Sequence, residues 1–257
     1  MPDLNWNKAV WQGSYHWNDA GEEWSTSWGG SEAQWFGSIY PRLHRFLPAR
    51  RILEIAPGFG RWTRYLLPAC EEFIGIDLSD KCTAACQKRF AGAKHAQFIT
   101  NDGRSLEAAQ DRAFDLIFSF DSLVHAEYDV LAFYIPQIIS KLSPVGVNLL
   151  TYNGTIGQPH GRALTVSADA VADLVYRASG TVLVQEIANW GGEHLIDCLT
   201  LCSHKNTFPS VQPVRHKNSM FMSEATLIRD FQSPYSRLPE PQSKPGAATL
   251  ESPDAAA

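Results

Sequence analysis

With 257 residues, 44% of them hydrophobic and 19% charged, the chain has the make-up of one substantial globular domain with appendages. A formal charge of -5 argues against a nucleic-acid polyanion as the main partner, and no apolar stretch reaches the length of a membrane span. The N-terminus is polar and Trp-rich rather than signal-like, so the expected location is the cytoplasm.

Residues 1–48 hold six of the eight tryptophans: Trp6, Trp11, Trp17, Trp24, Trp28 and Trp35. Disordered segments are poor in aromatics, so this stretch is expected to form an ordered cap. Most of its indoles are assigned to the cap's own core, with Trp24, Trp28 and Trp35 as the ones placed to reach a ligand. Arg42, Arg45, Arg50 and Arg51 then cluster, and are expected to solvate the approach to the first strand.

The run Arg51 to Ala56 ends in Pro57-Gly58-Phe59-Gly60 and passes into an amphipathic segment, the order of a strand that meets a helix N-terminus. Glycines at 58 and 60 permit positive φ and close approach of backbone to a ligand. Glu54 adds a carboxylate where a dinucleotide loop avoids one. The loop therefore suits a cation without phosphates, and S-adenosylmethionine fits that description. A second run, Glu72 to Leu78, ends in Asp77-Leu78. An acid at that strand terminus can accept both hydroxyl hydrogens of a ribose. A third, Ala96 to Thr100, ends in Asn101-Asp102-Gly103, and a fourth, Ala113 to Phe120, ends in Asp121-Ser122-Leu123-Val124-His125. A doubly wound sheet places all four tips on one edge, where ligands bind.

Beyond these, Glu127 to Leu142 reads as a helix that Pro136 kinks or restarts. Val145 to Asn153 is a fifth strand. Ser167 is an N-cap for a helix with Val171, Leu174, Val175 and Ala178 on one face, and Gly180 is its stop. Thr181 to Ala188 and His194 to Ser203 are two more strands, joined by the hairpin-like Asn189 to Glu193. Residues 206–238 read as an irregular arm, and the Pro/Ala/Ser-rich 239–257 as a disordered tail. The five cysteines form no Cys-x-x-Cys motif or zinc set, and a reduced, buried inventory is expected.

Taken together, Glu54-Ile-Ala-Pro-Gly58-Phe-Gly60, Asp77, Asn101-Asp102-Gly103 and Ser119 to Glu127 resemble the motifs of class I S-adenosylmethionine-dependent methyltransferases. Among them the chain looks closest to a group associated with sugar, polysaccharide and natural-product modification. Ala56 stands where many members carry the first glycine. The resemblance covers about Arg50 to Lys205, and Trp24 to Trp35 extends it. It implies an α/β fold: a Rossmann-like, doubly wound, seven-stranded sheet, mostly parallel with an antiparallel final strand, under a Trp-rich N-terminal cap. The methyltransferase core then occupies residues 49–205. The implied cofactor site comprises Glu54, Gly58, Gly60, Asp77, Leu78, Asp102, Gly103, Phe120 and Asp121.

Methyl transfer from a sulfonium is an in-line displacement, so the chief task is alignment, and an alcohol acceptor also needs a base within about 3 Å. His125 is the first candidate, since it follows the fourth strand at the ligand edge and an imidazole suits base work near neutrality. A histidine here could equally pack or cap the next helix. His160 is the second candidate. Asp121 could touch the cofactor, orient His125 or help bind Mg, although a magnesium site is not favoured because hard cations want several convergent oxygens. Acceptor-binding candidates are Trp28, Tyr152, Asn153, Arg162 and Trp190, with Arg162 suited to an anionic group. The expected acceptor is a small or sugar-bearing hydroxyl compound; a homo-oligomer is compatible with the sequence. The alternatives are N-methylation of an amine, and a binding or regulatory protein, or one with other cofactor chemistry, on the same scaffold.

Overall fold

The computed structural model describes residues 2–158, 161–190, 192 and 194–227. Its centre is one sheet made of β1 (Ala49–Ile55), β2 (Cys70–Asp77), β3 (Ala96–Thr100), β4 (Phe114–Ser119), β5 (Leu142–Asn153), β6 (Gly180–Asn189), β7 (Leu195–His204) and β8 (Val214–Asn218), ordered β3-β2-β1-β4-β5-β7-β6-β8. Strands β1 to β5 pair in parallel, and β7 runs antiparallel between β5 and β6. Chain direction reverses its lateral progress between β1 and β4. That switch point opens a crevice beyond the strand ends.

One feature corrects the sequence expectation. The sheet has eight strands rather than seven: the expected seventh strand is the antiparallel β7, and the added β8 pairs in parallel with β6. Val-Arg-His-Lys-Asn carries no alternating apolar pattern, because β8 is an edge strand with nearly every side chain exposed. Backbone pairing, together with Arg215 and Asn218 donating to Gln185 and Glu186, holds it in place.

Three helices of ten or more residues stand among the described residues: α1 (Asp80–Arg89), α2 (Tyr128–Lys141) and α3 (Ala168–Arg177). Helix α2 continues through Pro136. The side chains of Ser79 and Ser167 cap α1 and α3 by accepting from Cys82 and Ala170 amides. The stop of α3 is not Gly180, which opens β6; Ser179 takes the left-handed conformation instead, at φ 62°. Gly180 is required by packing, since a Cβ there would lie 2.8 Å from both Ile139 and Val175.

Apolar side chains bury both faces of the sheet. One face packs on α2 and α3 through residues such as Ile135, Ile138, Val171 and Val175. The other packs on the N-terminal segment, whose Trp28, Trp35, Ile39 and Leu43 share a cluster with Ile52, Phe73, Phe118 and Phe221. So only part of residues 1–48 caps the strand ends; the rest is a structural layer of the sheet. Arg42 belongs to that layer. It is ion-paired to Glu186 and Glu224 rather than solvating the approach to β1. All five cysteines are free and four are buried.

Candidate active site

At the end of β1 the chain turns sharply. Ala56, Gly58 and Gly60 all take positive φ, at 56°, 58° and 84°. For alanine this conformation is strained, and Ala56 is held there by donating its amide to Ile76 and by accepting from Ser122 Oγ. Gly58 directs its N–H at Asp77 Oδ2 over 3.0 Å, while Ser79 N–H donates to Oδ1 over 2.8 Å. The β2 acid is thus locked to the β1 loop. Burial pushes its carboxyl up to about 6 despite these bonds.

A cavity of about 340 Å³ opens at these tips, a size suited to a small ligand. Gly58, Asp77, Leu78, Gly103, Phe120, Asp121, His125, Arg162 and Trp190 line it, and all were expected at a site. Others are placed elsewhere. Glu54 is buried behind the loop and accepts from Thr63 Oγ1 at 2.5 Å; burial raises its carboxyl to about 8. Gly60 serves packing, since a Cβ there would lie 2.4 Å from Phe90. Asp102 is exposed and accepts from the Arg104 and Ser105 amides, which hold it below the ordinary carboxylate range. Tyr152 points into the sheet core, bonded to Thr200 and Gln185. Asn153 is fully buried and braces the following loop through Ala163. Trp28 is 1% exposed and packs on Trp190 and Phe221, behind the cavity wall. His160 lies outside the described residues.

The histidine geometry is specific. His125 Nδ1 is 2.8 Å from the Gly161 carbonyl, which can only accept, so Nδ1 carries the hydrogen and Nε2 is the basic nitrogen. Burial holds the imidazole below its ordinary pKa, so it is neutral near pH 7. Trp11 lies beside the ring at 5.0 Å, and Asn7 Nδ2 donates to the His125 carbonyl at 2.8 Å. Asp121 does not orient His125. It is ion-paired at 2.7 Å with Arg61, and its own backbone takes φ 61°. Arg162 pairs with the buried Asp197 and donates to Asn153 Oδ1, so its charge is already matched. Glu127 accepts from Leu164 and Thr165 amides, tying that loop to α2. Among the described residues no three His, Cys, Asp or Glu side chains converge as a metal set.

Sequence reasoning missed Arg61, Asp197 and the roof residues Asn7, Trp11 and Trp17. Two signals were present. Arg61 follows the last loop glycine directly, and Asp197 interrupts the apolar run of β7. The roof carried none, because its indoles reach the site only through tertiary contacts: Trp17 stacks on Phe59 at 4.6 Å and comes within 2.7 Å of where a Gly58 Cβ would stand.

Residues 52–146 match the family model Methyltransf_25, described as a methyltransferase domain. The match runs from within β1 to the start of β5 and includes the loop, Asp77 and His125. This stretch, less than half of the chain, is similar to a methyltransferase domain, and the match supports an enzyme. Solved structures agree in fold. An S-adenosylmethionine-dependent methyltransferase from Clostridium acetobutylicum is 14% identical, with 70% of this chain and 91% of that one covered at a TM-score of 0.54. The DhpI-SAH complex is 18% identical, covering 78% and 94% at 0.54. The CcbJ methyltransferase from Streptomyces caelestis is 11% identical, covering 68% and 94% at 0.51. A search of curated proteins returned no match. No helix among the described residues is long and apolar enough to cross a membrane.

Proposed function

We propose that this chain binds S-adenosylmethionine at the tips of β1, β2 and β4 and methylates a hydroxyl oxygen of a small-molecule or sugar-bearing acceptor, with His125 as general base. The supporting observation is the convergence of the Gly58 loop, Asp77 and His125 on one cavity. The residues fit a cationic nucleoside. Asp77 is a buried carboxylate whose bonds are to backbone amides rather than to a cation, and each oxygen keeps acceptor capacity for a ribose hydroxyl. Both cations of the wall, Arg61 and Arg162, are spent on carboxylates, which disfavours a phosphate-bearing ligand. Bound here, S-adenosylmethionine supplies an electrophilic methyl group that leaves its sulfur with the bonding electron pair on sulfur.

The chain's own residues then have three tasks. The Gly58 loop and Asp77 fix the nucleoside; the roof indoles exclude water; His125 Nε2 removes the acceptor proton. The test is turnover of paired hydroxyl and amine acceptors by wild type and His125→Ala. O-methylation falls by about 10²–10⁴, the usual contribution of a general base, while affinity for S-adenosylhomocysteine is retained. A variant that methylates hydroxyls at the wild-type rate removes His125 from the mechanism. Selective turnover of amines, unaffected by the substitution, moves the assignment to N-methylation.

A further inference from the structure

Away from Asp77 the cavity is walled by indoles rather than by free hydrogen-bonding groups. One run of rings comes from the N-terminal segment, where Trp11 lies 6.0 Å from Trp17 and 5.0 Å from His125. A second follows the strand ends: Trp62 meets Phe120 edge-on at 5.5 Å, and Phe120 lies 6.3 Å from Trp190. Trp24 lines the same space.

The polar side chains between these rings are committed to one another. Arg61 pairs with Asp121 and donates to Ser25; Arg162 pairs with Asp197 and donates to Asn153. The two Asn7 Nδ2 hydrogens are shared among the Pro2, Asp3 and His125 carbonyls, while its oxygen accepts from Trp11 Nε1. Each guanidinium is paired with a carboxylate, so neither stands free for an anionic ligand. Nε2 of His125 has no partner among the described residues.

Such a wall selects against two acceptor classes. A sugar ring brings several hydroxyls, and each costs roughly 1–3 kcal/mol if it is buried without a partner. An anion requires a cation not already spent. A flat aromatic ring, by contrast, gains offset and edge contacts from every side and asks for one hydrogen bond, at its hydroxyl. A phenolic proton, with a pKa of about 10 as in tyrosine, is also within reach of an imidazole.

We propose that the acceptor is an uncharged, planar aromatic alcohol, enclosed by the two runs of rings with its hydroxyl directed to His125 Nε2. The assignment rests on the S-adenosylmethionine reading above and narrows its acceptor class. In the step, Nε2 takes the phenolic proton and the oxygen forms its bond to the methyl carbon. The carbon–sulfur bond breaks with its electron pair on sulfur. Aryl methyl ether, S-adenosylhomocysteine and an imidazolium result, and the imidazolium returns its proton to solvent.

The experiment titrates the full chain, saturated with S-adenosylhomocysteine, with 2-naphthol, 2-naphthoate and methyl glucoside in a calorimeter. 2-Naphthol binds saturably; 2-naphthoate binds at least about tenfold more weakly, and methyl glucoside gives no saturable heat. Trp24 is 43% exposed, so Trp24→Ala folds; it weakens 2-naphthol by about tenfold and leaves S-adenosylhomocysteine affinity within about twofold. With S-adenosylmethionine, 2-naphthol gains one methyl by mass. Glucoside or naphthoate binding as tightly as naphthol overturns the proposal, as does an unchanged naphthol affinity in Trp24→Ala. If S-adenosylhomocysteine binds and naphthol does not, the acceptor class alone falls. If S-adenosylhomocysteine does not bind, the parent reading falls and takes this one with it.

Discussion

At the strand-tip end of the cavity, groups are held by backbone: the Gly58 and Ser79 amides fix Asp77, and the Ile76 carbonyl fixes Ala56. In the N-terminal roof, placement depends on side chains, with Trp17 laid on Phe59 and Asn7 reaching the His125 carbonyl. The first end is specified by where strands stop, the second by how a distant segment packs. Substitutions at the two ends should therefore fail differently. Those at the strand tips lose the nucleoside, and those in the N-terminal segment lose either the fold or the acceptor according to depth.

Depth is the sharpest divide. Trp28 lies in the core and Trp24 on the cavity. Trp28→Ala lowers unfolding free energy in denaturant by about 3–5 kcal/mol, the usual cost of emptying a buried aromatic site. Trp24→Ala costs less than about 1 kcal/mol in the same assay, as expected of a partly exposed side chain. Equal costs would erase the division within the N-terminal segment. Next comes the seam between roof and loop. Gly58→Ala forces a Cβ to 2.7 Å from Trp17 at φ 58°. S-adenosylhomocysteine affinity falls by about tenfold or more, since left-handed strain alone is worth roughly 1–2 kcal/mol. Adding Trp17→Ala relieves the collision but not the strain, so the double variant recovers only in part. Full recovery would assign the whole effect to the roof.

A pH-dependent effect concerns Glu54, raised from 4.5 to about 8 by burial, with the Asp77 charge adding to the shift. A carboxyl whose folded-state pKa exceeds its unfolded value favours folding in its protonated form. Stability from this group is complete below about 4.5 and is lost as pH climbs through about 8. Glu54→Gln removes most of that decline, and Asp77, raised to about 6 with the same sign, leaves a shallower one. Denaturant midpoints across this range check it; parallel curves for the two proteins would place Glu54 in water-like surroundings.

Much of the strand-tip end was legible in the sequence because period and punctuation encode it. β3 matches its expected limits, Ala96–Thr100, and Asp77 closes β2 as the run of apolar residues indicated. Glu54 and Asp102 were legible as acids but not as to direction, since a one-residue step along a strand or turn decides between cavity and interior. Tyr152 shows the same ambiguity: position after position on β5 is buried, so no alternation announces which side chains face the ligand. β8 escaped because edge pairing needs no apolar side chains. The pairing of Arg162 with Asp197 escaped because β7 comes beside β5 only once the sheet is assembled.

Ribose capture by Asp77 is the claim on which the rest depends, and calorimetry of S-adenosylhomocysteine against wild type and Asp77→Asn addresses it most directly. The account predicts saturable binding to wild type and a loss of at least about tenfold in the variant, the worth of charged hydrogen bonds to a ligand hydroxyl pair. Equal affinity in the two proteins, with both folded, would contradict it.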